Sequence, residues 1–269
     1  MSKLSIVTIN RNNAEGLQKT IESVICQTYT DFEFIIIDGA STDASLDVIH
    51  KNISSITYWI SEPDSGVYNA MNKGVNQAKG EYLLMLNAGD ELIDESVLSN
   101  VFNAEITEDI VYGNVLWLEN NGCYESTFPD KPQFSFFYKY SIGHQAAFVK
   151  KSLHETVGLY IETNRIVSDW CFFIKAFCHF NCTFKHIPFI ISKCDRDGIS
   201  CNPDYFPLIE KERKDFLNNE FPCFVDDYEN AEQLKIELND LKKLYYKKGW
   251  IERKYIQFKL IIKRGIKHN

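Results

Sequence analysis

Two apolar runs, Phe34-Ile35-Ile36-Ile37 and Tyr82-Leu83-Leu84-Met85-Leu86, break directly into the loops Asp38-Gly39-Ala40-Ser41-Thr42-Asp43 and Asn87-Ala88-Gly89-Asp90. Unbroken apolar runs of this length mark strands buried on both faces of a largely parallel sheet. Loops at the carboxyl ends of such strands are where open α/β sheets hold ligands. The two acidic loops are therefore expected to face one crevice, which makes the chain a candidate nucleotide-type enzyme.

The surrounding pattern supports alternating strands and helices. Leu4 to Ile9 reads as a first strand, and Asn12 with Glu15 three residues on resembles a capping box for a helix carrying Leu17, Ile21, Val24 and Ile25. Phe32 to Ile37 follows as a second strand, and strand, helix, strand implies a parallel pair. Ser41 or Thr42 is expected to cap a helix bearing Leu46, Val48 and Ile49, before a third strand at Ile56 to Ile60 that stops at Glu62-Pro63-Asp64. Val67, Ala70, Met71, Gly74, Val75 and Ala78 trace one helical face that ends at Gly80. Beyond Asp90 the pattern loosens: a helix around Val97, Leu98 and Val101, a strand at Ile110 to Trp117, a turn at Asn120-Asn121-Gly122, an aromatic cluster from Phe134 to Tyr140, and a strand at Gln145 to Val149. After Pro207 the chain turns helical and charged, and Glu232 to Lys263 reads as one long helix or two.

At 269 residues the chain can bury a large core without staples. Eight cysteines without paired spacing and no leader-like start point to a reducing cytoplasm. The formal charge of -8 argues against wholesale nucleic-acid binding, yet Lys242 to Asn269 holds ten Lys or Arg against one Glu, leaving about -17 on the rest. That basic tail, with Tyr245, Trp250, Ile251, Tyr255 and Phe258 among its lysines, suits either peripheral contact with the inner face of the plasma membrane or packing on the body or on a second subunit as a homodimer.

Three groups of residues carry candidate chemistry. Thr8, Asn10 and Arg11 after the first strand, with Asp38 and Asp43 after the second, can hydrogen-bond a base or ribose, or simply satisfy turn N–H groups. Glu62-Pro63-Asp64-Ser65-Gly66-Val67-Tyr68 runs into Asn69-Ala70-Met71-Asn72-Lys73-Gly74, where Lys73, one turn into the helix, can reach a phosphate as a point charge or stay solvated. Asp90, with Asn87 or Glu91, can hold a hard divalent cation bridging phosphate oxygens, or be a turn residue. Cys178, His179, Cys182 and His186 have a spacing that could supply zinc ligands but fit no standard finger. No Gxxxx-GK-[ST] loop and no GxGxxG occur, which counts against a kinase and a dinucleotide dehydrogenase.

Taken in order, Thr8-x-Asn10-Arg11, Ile37-Asp38-Gly39-x-Ser41-Thr42-Asp43, Asn72-Lys73-Gly74, Gly80-Glu81-Tyr82 and Leu86-Asn87-Ala88-Gly89-Asp90 resemble glycosyltransferase family 2 over residues 3 to 200. The set is similar to the branch that builds bacterial capsule, O-antigen and exopolysaccharide. The resemblance implies a GT-A fold of α/β class, a Rossmann-like mixed sheet flanked by helices, with a donor half at 1–92, an acceptor half at 93–205 and a helical basic appendage at 206–269. It implies an inverting transfer from a nucleotide-sugar, a UDP-sugar, to a hydroxyl of a glycan or lipid-linked saccharide. The donor would contact Thr8, Asn10, Arg11, Asp38, Asp43, Lys73, Asn87, Asp90 and His144. Asp169, in Val167-Ser168-Asp169-Trp170, falls where the family carries its general base. His144 lies in Gly143-His144-Gln145, a segment similar to that branch; it would touch the donor diphosphate or the acceptor, or else bond a local carbonyl. Arg196-Asp197-Gly198-Ile199-Ser200 would close over the diphosphate.

One feature departs from that pattern. The family commonly has Asp-x-Asp where this chain has Asn87 and Gly89 and keeps only Asp90. Either Asp90 alone anchors Mn2+ or Mg2+, with water and diphosphate completing the shell, or metal dependence is weakened; the first is expected. The missing acids also leave room for a non-catalytic sugar-nucleotide or glycan-binding subunit. A nucleotidyltransferase would normally show a Gly-rich basic loop near its first strand, and none is present.

Overall fold

The structure is a computed structural model that describes residues 2–119, 122–196, 198–247 and 254. The strand-and-helix alternation is present as β1 (Leu4–Asn10), α1 (Ala14–Ile25), β2 (Phe32–Asp38), α2 (Ser45–Lys51), β3 (Tyr58–Ser61), α3 (Val67–Gln77) and β4 (Tyr82–Met85). Next come β5 (Glu91–Leu92), α4 (Val97–Phe102), β6 (Ile110–Glu119), β7 (Gly122–Ser126), α5 (Phe134–Lys139), β8 (Ala147–Lys150), α6 (Leu153–Thr156), α7 (Ser168–Cys178) and β9 (Phe184–Asp195). Two helices, α8 (Phe206–Glu220) and α9 (Pro222–Lys247), complete the described chain.

The described strands form one nine-stranded mixed sheet in the order β3-β2-β1-β4-β8-β6-β9-β5, with β7 paired to β6. β3, β2, β1 and β4 are mutually parallel, while β8 runs antiparallel to both β4 and β6. β1 is central, and alternation along it divides the core. Leu4 and Ile6 join Phe34, Ile36, Tyr82 and Leu84 under Leu17, Ile21 and Val24 of α1, Ile49 of α2, and Val97, Leu98 and Val101 of α4. Val7 points to the other face, where α3 packs so closely that a side-chain carbon at Gly74 would meet Val7.

Several local readings shift. The cap of α1 is Asn13, whose Oδ1 accepts from Gly16 N at 3.0 Å. Asn12 instead adopts φ 52° and accepts from Thr42 N at 2.8 Å. Neither Ser41 nor Thr42 caps α2; Asp43 accepts from the N–H and hydroxyl of Ser45, the first residue of that helix. Val67 leaves the buried stripe of α3 and is 40% exposed. The segment Phe134–Lys139 is helical, and its rings join Phe177 of α7 and Phe184 of β9 around buried Phe137. β9, a long strand beside β6, crosses Pro188 by an irregularity: Tyr112 pairs with His186, but Asn114 already pairs with Ile190. A proline has no N–H for a ladder, so it sits in the part of the strand that is out of register.

The contact pattern divides the chain into Met1–Asp215 and Phe216–Asn269. In the second unit the rings of Phe216 and Phe221 meet edge-on at 6.0 Å. Most of the basic tail, Asn120-Asn121 of the expected turn and Asp197 of the expected closing loop lie outside the described residues. Among the described residues, no helix is long and apolar enough to cross a membrane.

Candidate active site

The carboxyl ends of β1 and β4, the start of α3 and the segment ahead of α7 enclose a cleft of about 1090 Å³. Its size suits a ligand larger than a single sugar. Asn10, Arg11, Asn87, Asp90, His144 and Asp169 all line it. Thr8, Asp38, Asp43 and Lys73 do not, and their polar groups are engaged in holding the loops.

Thr8 is buried and its hydroxyl donates to the Leu86 carbonyl at 2.7 Å, tying β1 to the β4 loop. Asp38 is fully buried, accepting from Asn10 Nδ2 at 2.8 Å, the Ser41 and Ser61 hydroxyls at 2.6 Å each, and Ser41 N at 2.9 Å. Burial alone would raise its carboxyl, but those bonds hold it below the usual carboxylate range. Asp43 accepts from Ala14 N at 2.9 Å and so fastens the second loop to the start of α1. Lys73 turns back along α3 to Glu62 (2.7 Å) and the Pro63 carbonyl (2.9 Å). It thereby fixes the 62–66 loop that brings Asp64, Ser65 and Gly66 into the cleft.

Asp64, which the sequence offers within the segment ahead of Lys73 without a role of its own, is 7% exposed at its side chain and 3.8 Å from Arg11 Nη1. It reaches that place because residue 39 has no side chain: a carbon there would fall 2.1 Å from Asp64 Oδ2. The loops after β1, β2 and β3 are thus interlocked.

Asp169 stands at the first turn of α7. Its Oδ2 lies 3.2 Å from His144 Nδ1 and its Oδ1 lies 2.9 Å from the Tyr68 hydroxyl. Burial would raise this carboxyl too, yet the hydrogen bond and charge of His144, with Tyr68, keep it low, so it is ionised at neutral pH. His144 shows the mirror effect: burial lowers it, but the bond to Asp169 and the charges of Asp169 and Asp90 raise it overall. The Tyr68 phenol is pushed well up by burial and by the Asp169 charge and stays a donor. Its single proton is shared between Asp169 and the Ile166 carbonyl, which it also touches.

Asp90 is half-buried; its Oδ2 accepts from Asn87 N at 3.1 Å. Burial raises its carboxyl against the charge of His144 and a bond from the Cys194 thiol. Among the described residues there is no group of three His, Cys, Asp or Glu able to cage a metal ion. A single hard carboxylate nevertheless fits a small divalent cation that takes its remaining ligands from water and substrate phosphates, the usual way of binding Mg2+. His186, from the cysteine-histidine spacing, has its ring nitrogens 2.7 Å from Asp130 and 2.8 Å from Asn114.

Sequence reasoning missed Glu162, Arg165, Asp195 and Trp117 and gave no role to Tyr68 or Gln145, all of which line the cleft. Tyr68 stood inside the Ser65-Gly66-Val67-Tyr68-Asn69 segment, but only its distant partner reveals its use. Arg165 lies over the Tyr205 ring at 4.9 Å, and its backbone N–H and that of Ile166 donate to Glu212 at 2.6 and 3.1 Å. Glu212 thereby straps the segment that leads into the Asp169 turn. Gly198, Ile199 and Ser200 of the expected closing loop also border the cleft.

The model for "Glycosyl transferase family 2" matches residues 5–149. A "PGL/p-HBAD biosynthesis glycosyltransferase" of Mycobacterium bovis is 32% identical over 200 residues, covering 72% of this chain and 77% of that protein. Among solved structures, S. aureus TarS 1-349 superposes with a TM-score of 0.64 at 18% identity, over 81% of this chain and 66% of that one. The same TarS fragment is also known in complex with UDP-GlcNAc. A mannosyltransferase from Pyrobaculum calidifontis in complex with GDP-Man and Mn2+ gives a TM-score of 0.55 at 14% identity, over 79% of this chain and 69% of that one. At such identities the solved structures speak to the fold, which is that of GT-A glycosyltransferases.

Proposed function

The chain belongs to glycosyl transferase family 2, and on that premise we propose that it transfers a sugar from a nucleotide donor, a UDP-sugar, to a hydroxyl of a glycan or lipid-linked acceptor, with inversion, in cell-surface polysaccharide assembly. The observation that carries the reading is the Asp169 carboxyl, with both oxygens held by hydrogen bonds, in the same cleft as the Asn87–Asp90 loop.

Asp169 takes the acceptor hydroxyl proton as that oxygen attacks the anomeric carbon. The bond from that carbon to the diphosphate oxygen breaks with its electron pair, and the nucleoside diphosphate leaves from the opposite face. One displacement inverts the configuration. The nucleotide lies over the end of β1, near Asn10 and Arg11, while buried Asp38 holds Asn10 and the Ser41 turn in place beneath it. Arg11 brings positive charge to the departing diphosphate. Asp90 would hold the divalent cation, which supplies charge neutralisation to the diphosphate when bound. Eight free cysteines suit a cytoplasmic setting, and the basic tail suits the anionic inner leaflet.

The reading is tested by a panel of nucleotide sugars assayed for nucleoside diphosphate release with added Mn2+ or Mg2+. Release from one donor class is expected. Tight binding without release from any donor, acceptors included, would favour a binding subunit, and pyrophosphate release would favour nucleotidyl transfer. Asp90→Ala should remove the metal stimulation and lower turnover by about 100-fold; a variant that keeps full stimulation would remove Asp90 from the cation site.

A further inference from the structure

His144 is set apart by the number of its engagements. Its Nδ1 meets Asp169 Oδ2 at 3.2 Å and its Nε2 meets the Asn87 side-chain amide at 3.2 Å. Asn87 in turn gives its backbone N–H to Asp90. On the far side of the base, Tyr68 from the first turn of α3 reaches Asp169 Oδ1 at 2.9 Å. A continuous chain, Tyr68, Asp169, His144, Asn87, Asp90, therefore runs from the donor-loop helix through the base to the loop after β4. We infer that His144 and Tyr68 are positioning residues for Asp169: one holds each carboxylate oxygen, and His144 ties the base to the diphosphate loop through Asn87.

The inference rests on the glycosyl-transfer reading and revises one expectation within it, since His144 acts on the reaction through the base and not as a donor contact. The Asn87 amide bears on it independently. Among the described residues its Oδ1 is buried with no hydrogen-bond partner, while its NH2 faces the imidazole. Which amide atom faces a ring nitrogen is an assignment that the hydrogen-bond network must decide. With the amide turned, Oδ1 accepts from a protonated Nε2 and its lack of a partner ends, while Nδ1 still donates to Asp169. The ionisable groups facing Asp169 are His144 from the turn before β8, Tyr68 from α3, Tyr160 from the loop after α6, Cys171 from α7 and Arg213 from α8. Of these, His144 and Tyr68 are the two recorded in hydrogen bonds to its carboxylate.

The test is a mutant cycle. His144→Gln and Tyr68→Phe are each expected to lower kcat by roughly 10- to 100-fold, the range that orienting partners carry, with donor KM within about twofold. His144→Gln should also move the acid limb of the kcat profile to higher pH, because Asp169 loses the bond and charge that keep it ionised. In an Asp169→Asn background either change should cost less than about twofold, since its route to the reaction is gone. Multiplicative losses in that background, or a raised donor KM with kcat intact, would overturn the inference and make His144 a donor contact. Should His144→Gln fold poorly, Tyr68→Phe removes one hydroxyl and carries the same test. Near-normal turnover in Asp169→Asn itself would defeat the glycosyl-transfer reading instead, so the two failures are distinguishable.

Discussion

Asp169→Asn is expected to lose turnover by roughly 10²- to 10⁴-fold while donor affinity stays within about twofold. The substitution is isosteric and removes the charge that accepts the acceptor proton. It should not unfold the protein. With Oδ1 still accepting from Tyr68, the new amide NH2 faces His144 Nδ1, which can accept from it as a neutral imidazole. His144 then has less reason to be charged, because the bond and charge of Asp169 raise it. Steady-state kinetics with calorimetric donor titration measures both halves of this expectation. A variant with near-normal kcat would show that another group takes the proton; one with donor affinity lost would place Asp169 in donor binding.

The largest stability effect is expected at a position with no part in chemistry. Gly80, between α3 and β4, gives its N–H to Ser5 Oγ at 2.8 Å and to Glu33 Oε1 at 3.0 Å. Buried Glu33 also accepts from the Ser5 hydroxyl at 2.6 Å and from Lys79 N, so three segments meet on one carboxylate. A side-chain carbon on residue 80 would lie 2.6 Å from the carbonyl carbon of Leu4 and 2.6 Å from Ser5 N, both backbone atoms of central β1. Backbone cannot rotate aside as a side chain can, so β1 or the turn must move. Gly80→Ala should cost about 3 kcal/mol, the upper range for overpacking, and lower the melting temperature by roughly 5–12 °C. Gly198→Ala is the control: among the described residues, chain neighbours aside, no atom lies within 4 Å of the added carbon, and φ is -68°. That variant should melt within about 0.5 kcal/mol of the parent. Equal stability of the two variants would contradict the close approach at Gly80.

What the sequence discloses of this fold is its local part. β2 and β4 are apolar runs whose ends are marked by acids, and the face of α3 repeats at three and four residues, so those elements are legible. β9 was not: it alternates poorly, contains Pro188, and is a strand because β6 lies beside it with an irregular register. Phe134–Lys139 reads from sequence as an aromatic cluster with no assigned element, because its rings are ordered by α7 and β9, far along the chain. The cap of α1 was misread by one residue because Asn12 and Asn13 are equally good caps, and the left-handed turn at Asn12 is fixed by Thr42.

The site divides along the same line. Asn10, Arg11, Asn87 and Asp90 follow strands directly and could be named from their positions. The contact between Tyr68 and Asp169 spans 101 residues, and nothing local in either segment points to the other. Thr8, Asp38, Asp43 and Lys73 stand in the expected places but spend their polar groups on loop architecture, a distinction that only partners and distances can draw.

Stereochemistry tests the mechanism most directly. Time-resolved proton NMR of wild-type protein turning over its nucleotide-sugar donor, with an acceptor hydroxyl or with water, reads the anomeric configuration of the first-formed product before it can equilibrate. A single displacement assisted by Asp169 gives a product inverted relative to the donor. A product that keeps the donor configuration would contradict a one-step attack and the role assigned to Asp169.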